Sequence, residues 1–180
     1  LIGDGVLIAE PPTLWFMRDT NGDGKAEKRE VVLRGFGTGD NHQNINSFRW
    51  SPGGELYMSQ GLHAFSHVET PHGVVHLEEA GYFRFNPRTM KLTPFWGGAG
   101  DPQNPWGFVW DDWGNLFVQA GNNGSIQDAL VSAFEGGCGP RPPQIWEGAK
   151  GRKGSNPEFV GTAHFPPDWQ GRLIVPGYIN

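Results

Sequence analysis

Asn46-Ser47-Phe48-Arg49-Trp50-Ser51-Pro52-Gly53-Gly54-Glu55-Leu56-Tyr57-Met58 is echoed further along the chain by Pro105-Trp106-Gly107-Phe108-Val109-Trp110-Asp111-Asp112-Trp113-Gly114-Asn115-Leu116-Phe117-Val118. Each copy reads as a strand, a glycine-containing turn and a second strand with apolar residues at alternate positions. A looser third copy runs from Gly161 to Val175 and keeps the same punctuation. The turn glycines Gly54, Gly114 and Gly171 stand 60 and 57 residues apart. Self-similarity at such a period predicts repeated supersecondary units.

Between the copies, residues 81–85 and 91–95 are two further strand candidates, joined by the turn Asn86-Pro87-Arg88-Thr89. The unit is thus about four antiparallel strands, the content of one propeller blade. Residues 14–17 and 30–33 repeat the second half of that unit. The expected fold is all-β, a partial propeller spanning 1–180: a half blade over 1–40, blades over 41–100 and 101–160, and a half blade over 161–180. Because a ring needs four to eight blades, units this long make the chain a fragment of about three blades; the full ring is expected to have six. A closed sandwich or barrel would fit the strand density but not the repeat. Residues 120–156 have weak periodicity and are expected to form a long loop.

Composition agrees with this reading. The chain has 180 residues, among them 28 glycines and 15 prolines, close to a quarter of the total. That fraction can mark disorder, but eight Trp, twelve Phe and three Tyr supply a core that disordered chains lack. No apolar run approaches the ~20 residues of a membrane-spanning helix. A net charge of −5 disfavours nucleic acid as a partner. Cys138 has no second cysteine to pair with. The first residues carry no basic leader and no initiating Met, and read as an interior stretch of a longer chain.

Three stretches could carry chemistry. Asp19-Thr20-Asn21-Gly22-Asp23-Gly24-Lys25-Ala26-Glu27-Lys28-Arg29-Glu30 satisfies the Asp-x-Asn-x-Asp-Gly-x5-Glu rule of a calcium loop. Asp19, Asn21, Asp23 and Glu30 would offer side-chain oxygens, Lys25 its carbonyl, and Glu27 a water-mediated contact. The same residues would also serve as a metal-free polar hairpin loop. Its flanks read as strands, which excludes an EF-hand pair. Next, four histidines fall within residues 63–76, where His67, Glu69 and His72 form a candidate ligand or proton-transfer set. Solvated loop histidines are the alternative there, and Pro71 and Gly73 exclude a helical His-x3-His pair. Finally, the polar loop at residues 37–46 carries His42, a candidate general base, with Asp40 as its orienter. Turn chemistry alone would also account for this loop.

Asp40-Asn41-His42-Gln43, followed by the 48–57 turn segment, resembles the Asp-His-Gln and Gly-Pro-Asp-Gly-x-Leu-Tyr pattern of glucose/sorbosone dehydrogenases, soluble quinoprotein propellers. Further stretches are more closely similar to the large bacterial membrane-bound dehydrogenase propellers that often carry a C-terminal cytochrome c domain. They comprise residues 14–16 with 18–25, 35–40, 67–74, 104–107 and 167–171. The resemblance implies an oxidoreductase acting on CH–OH groups of sugars or alcohols, with pyrroloquinoline quinone as cofactor and structural calcium. It further implies a cytochrome c as electron acceptor and a periplasmic or extracellular location. It makes His42 the base for the substrate hydroxyl and Asn104, with the preceding position Gln103, a cofactor contact. Two positions depart from the pattern: Asn41 stands directly before the histidine, and Gln103 replaces an arginine, removing a bidentate guanidinium. No Cys-x-x-Cys-His haem motif occurs. The alternative is a non-catalytic propeller that binds carbohydrate or a partner protein through aromatics such as Trp106, Trp110 and Trp113.

Overall fold

The computed structural model describes residues 4–97, 104–120, 125–129, 144–146 and 153–178. Among these the chain is all-β, with no α-helix and a single 3-10 turn at Pro167–Trp169. In chain order the first strands are β1 (Gly5–Glu10), β2 (Thr13–Arg18), β3 (Lys28–Arg34), β4 (Asn46–Trp50) and β5 (Leu56–Gln60). There follow β6 (Phe65–Thr70), β7 (Gly73–Glu78), β8 (Gly81–Asn86), β9 (Lys91–Gly97), β10 (Phe108–Trp110), β11 (Leu116–Ala120), β12 (Ser125–Asp128) and β13 (Gln144–Trp146). Short strands close the chain: β14 (Lys153–Gly154), β15 (Glu158–Phe159), β16 (Leu173–Ile174) and β17 (Gly177–Tyr178).

They form three main antiparallel sheets, ordered β1-β2-β3-β6-β7, β4-β5-β8-β9 and β10-β11-β12-β13, and two small ones, β14-β17 and β15-β16. The two echoed segments build the first two strands of the second and third sheets, and their turns share one hydrogen-bond plan. The Ser51 N–H donates to Glu55 O and the Gly54 N–H to Ser51 O, at 2.8 and 2.9 Å. The Asp111 N–H donates to Asn115 O and the Gly114 N–H to Asp111 O, both at 3.1 Å. Gly54 and Gly114 have φ of +79° and +84°, a conformation open to glycine at no steric cost.

Alternation along the second sheet stacks the three sheets. Leu56, Met58, Phe83, Phe85 and Leu92 meet Leu14, Leu33, Val68 and Leu77 of the first sheet in one buried cluster. Tyr57, Tyr82 and Phe95 face the other way, onto Phe108, Leu116 and Val118 of the third, and Trp96 joins them at an irregularity in β9. Successive strand residues point to opposite faces, so a sheet with apolar residues at nearly every position is covered on both sides.

Three differences from the sequence reading have physical causes. The stretch 65–78, placed in the 41–100 blade, is the hairpin β6-β7, which joins the first sheet through β3, with Arg34 opposite Glu69. Its alternation of buried Ser66, Val68 and Leu77 with exposed neighbours is a strand signal masked by four histidines. The stretch 120–156, expected as a loop, contains β12 and β13, which complete the third sheet with a bulge at Ile126/Gln127. In the third copy the strand before the turn is β15, and residues 161–165 lie in the long connection to β16 that holds the 3-10 turn. Pro166 and Pro167 lack the N–H groups a strand ladder needs.

Candidate functional site

The loop between β3 and β4 is held by its own asparagines. The Asn44 amide nitrogen, oriented toward Asp40 O and Gly37 O, lies 2.7 and 3.1 Å from them. Asn46 Nδ2 donates to Asn44 O at 2.9 Å, and Asn46 Oδ1 accepts from Ser59 Oγ at 2.6 Å. On this frame Asp40 Oδ1 takes the backbone N–H of His42 at 3.1 Å and lies 2.7 Å from His42 Nδ1. With Nδ1–H directed at the carboxylate, the lone pair sits on Nε2. The His42 side chain is 68% exposed and that of Asp40 24%, so the imidazole is anchored while its working edge meets solvent. Trp106 stacks on the imidazole at 6.3 Å between ring centres and 17° between planes. The structure thus brings Asp40 and His42 together and adds Trp106, from the segment leading into the third sheet. Asn104 is half-buried two residues before Trp106. Gln103 lies outside the described residues.

Behind this face is a buried amide that the sequence did not signal. Gln43 is 1% exposed and its side chain has no hydrogen-bond partner. Its carbonyl accepts from the Gly61 N–H at 2.9 Å, and a Cβ at Gly61 would collide with its amide. Gln119 is likewise buried and unpaired, and its backbone N–H donates to Gly107 O, next to Trp106. Unpaired buried amides are costly, so both positions suit a polar guest or ordered water.

The Asp19 loop folds as a series of Asx turns. Asp19 Oδ1 accepts from the Gly22 N–H at 2.6 Å and Oδ2 from the Gly24 N–H at 2.8 Å, while Asn21 and Asp23 each cap the residue two on. The Gly24 and Gly22 donors hold the Asp19 carboxyl below the usual range. Glu27 Oε2 accepts from the backbone N–H and hydroxyl of Thr20 at 2.7 and 2.9 Å, which lowers its pKa in the same way. Ligand oxygens of Asp19, Asp23 and Glu27 lie within 4.8 Å of one another. Glu30 stands apart from this group. It lies on β3 opposite Phe16, with Arg18 Nη2 at 3.2 and 3.3 Å from its oxygens. Lys25 donates its N–H to Asp23 Oδ1 at 2.8 Å.

His67, Glu69 and His72 are not gathered. His67 and Glu69 project from the exposed face of β6, while His72 occupies the hairpin turn with Nε2 2.8 Å from Thr89 O. The neighbour of His67 is His76, directly opposite on β7. Of the candidate aromatics, Trp110 is partly buried and packs edge-on to Tyr57 at 4.9 Å, against the core, whereas Trp113 is 90% exposed at the β10-β11 turn. Trp113 flanks a cleft of about 710 Å³ shared with Trp110, Phe117, Phe159, Asp111 and Glu158.

No helix among the described residues is long and apolar enough to cross a membrane. No curated protein matches the chain. A family model described as "Domain of unknown function (DUF7133)" matches residues 1–143, most of its length. The chain therefore belongs to the DUF7133 family.

Proposed function

We propose that the chain is part of a β-propeller of the dehydrogenase type, and that its Asp40–His42 face takes a sugar or alcohol hydroxyl. The observation that carries this reading is the 2.7 Å contact between His42 Nδ1 and Asp40, which leaves Nε2 as the basic edge of an exposed, anchored imidazole. Such an arrangement suits removal of a hydroxyl proton, while the hydrogen of the C–H bond would leave as hydride to a two-electron acceptor beside the substrate, for which the artificial acceptor of the assay stands in. Trp106 walls one side of the imidazole, and apolar ring faces suit the C–H faces of a sugar. Support for the propeller comes from one five-stranded and two four-stranded antiparallel sheets stacked face to face.

The described residues do not fit pyrroloquinoline quinone at this face. A quinone bearing several carboxylates needs fixed cations. Arg18, Arg29, Arg49 and Arg84 make their ion pairs elsewhere, on Asp4, Glu10, Glu30, Glu55 and Glu158, and at this face Asp40 adds negative charge. Calcium is the proposed occupant of the Asp19 loop, with Asp19, Asp23 and Glu27 as ligands. A cytochrome c acceptor and a periplasmic or extracellular location belong to the same proposal and rest on the resemblance.

Turnover with aldoses and alcohols, measured with an artificial electron acceptor, with and without quinone and calcium, tests the reading. Oxidation that falls roughly 100-fold or more in His42→Ala, the scale of a general base, is the expected result. Absence of oxidation under every condition sinks the dehydrogenase assignment, and unchanged turnover in the variant removes His42 from it. A second reading, carbohydrate binding without chemistry, draws on the aromatic cleft at Trp113. Quenching of tryptophan fluorescence by sugars, abolished in Trp113→Ala, would favour it.

A further inference from the structure

The hairpin β6-β7 carries a pair of residues that the Asp40–His42 face does not use. His67 and His76 are directly opposed across the two strands, and their ring centres lie 4.5 Å apart with planes tilted by 57°. Both are exposed, and neither side chain makes a hydrogen bond among the described residues. Their register cannot slip, because a one-residue shift would turn buried Ser66, Val68 and Leu77 out to solvent. We infer that His67 and His76 form a two-imidazole site for a divalent late transition ion, zinc being the test case.

The spacing is close to what such an ion requires. With each nitrogen at ~2.1 Å from the metal and an angle at the metal between square and tetrahedral, two ring centres fall about 4.6–5.3 Å apart, so the pair at 4.5 Å needs only a small side-chain rotation to hold an ion. The rings thus stand at bridging distance on a rigid ladder, and neutral imidazole is a preferred ligand of zinc and copper. Glu69 and Glu78 occupy the same face, each two residues from one of the histidines. Neither forms an ion pair among the described residues, but neither completes a close group of three ligands with the two histidines, so water would fill the ion's remaining positions. The other charged group facing the pair is Arg34, opposite Glu69 on β3. Because β7 is the outer strand of its sheet, an ion held here would tie the edge strand to its neighbour. The site lies away from the Asp19 loop and differs from it in ligand chemistry: imidazole nitrogens against hard oxygens.

Zinc titrated calorimetrically into the purified chain, in calcium-containing buffer, tests the site together with histidine ring-proton resonances. The expected result is one saturable equivalent that shifts or broadens the His67 and His76 resonances together and leaves His164 unchanged. His67→Asn and His76→Thr should each weaken zinc by roughly tenfold or more, while His164→Asn should not. Both substituted side chains are exposed, so matching metal-free thermal midpoints separate ligand loss from misfolding. Absence of saturable binding up to millimolar zinc overturns the assignment, as does binding that survives both variants or moves other histidines but not these two.

Discussion

The first and second sheets are both antiparallel and share one apolar cluster, yet they are buried very differently. Every residue of β5 is buried, and β8 is buried at four of six positions. In the first sheet β3 is exposed at five of seven positions and β7 at four of six. Val31, Phe65 and Val74 are each more than half exposed there. Among the described residues the second sheet has a neighbour on each face, whereas the first has a neighbour on one face. Position in the stack, more than residue type, therefore sets what a substitution costs.

The sharpest way to break this comparison is Phe83→Ala. Phe83 is fully buried between the sheets, with Phe36 edge-on at 5.7 Å. Truncation should cost about 3–5 kcal/mol in urea unfolding, and a loss well under 1 kcal/mol would mean the sheets do not pack as described. Ser66→Ala comes next. The Ser66 hydroxyl donates to Gln60 Oε1 at 2.5 Å and accepts from the Gly37 N–H at 2.8 Å, stitching β6 to the end of β5. Leaving both partners buried and unpaired should cost about 1–3 kcal/mol, read as an earlier denaturation midpoint.

A smaller effect concerns the turns. Asp19 and Glu27 are held below their ordinary 3.8 and 4.5 by donors from Gly24 and Thr20. Asp111 is lowered too: desolvation pushes it up, but Asn115, Trp113 and Gly114 donors outweigh it. Groups depressed in the folded state bind fewer protons there than in the unfolded chain. Their contribution is complete above the ordinary carboxylate values and fades as pH falls through the lower folded ones. Thermal midpoints should therefore decline on acidification, less steeply in Asp19→Asn/Glu27→Gln; parallel declines would contradict the turn geometry. Smallest of all, Val31→Thr on the face without a described neighbour should stay within about 0.5 kcal/mol of the parent. A large loss would show that this face is covered.

What the sequence disclosed follows the same divide. The segments at 46–58 and 105–118 were legible because a glycine turn between two short apolar strands reports directly on local geometry, and the paired turns of the structure match. The Asp40–His42 contact was legible because two residues' separation lets a carboxylate reach a neighbouring imidazole. Hidden were the features that depend on distant strands: Glu27 rather than Glu30 beside Asp19 and Asp23, His76 rather than His72 beside His67, and the unpaired amides of Gln43 and Gln119. For His76 a signal existed, since alternation from Phe65 through Glu78 about Pro71-His72-Gly73 marks a hairpin. The partner sheet of that hairpin had no local signature, as one backbone register with β3 decides it.

That hairpin has a consequence for how the chain acquires its shape. β6 and β7 leave the second sheet after β5, complete the first, and return to deliver β8. The first sheet is unfinished until residue 78 has emerged, and the second cannot recruit β8 before then. Nascent chains ending between residues 61 and 80 would present two open sheet edges at once, the condition that favours mispairing. The two sheets are thus interlocked in chain order and should gain and lose protection from hydrogen exchange as one cooperative unit.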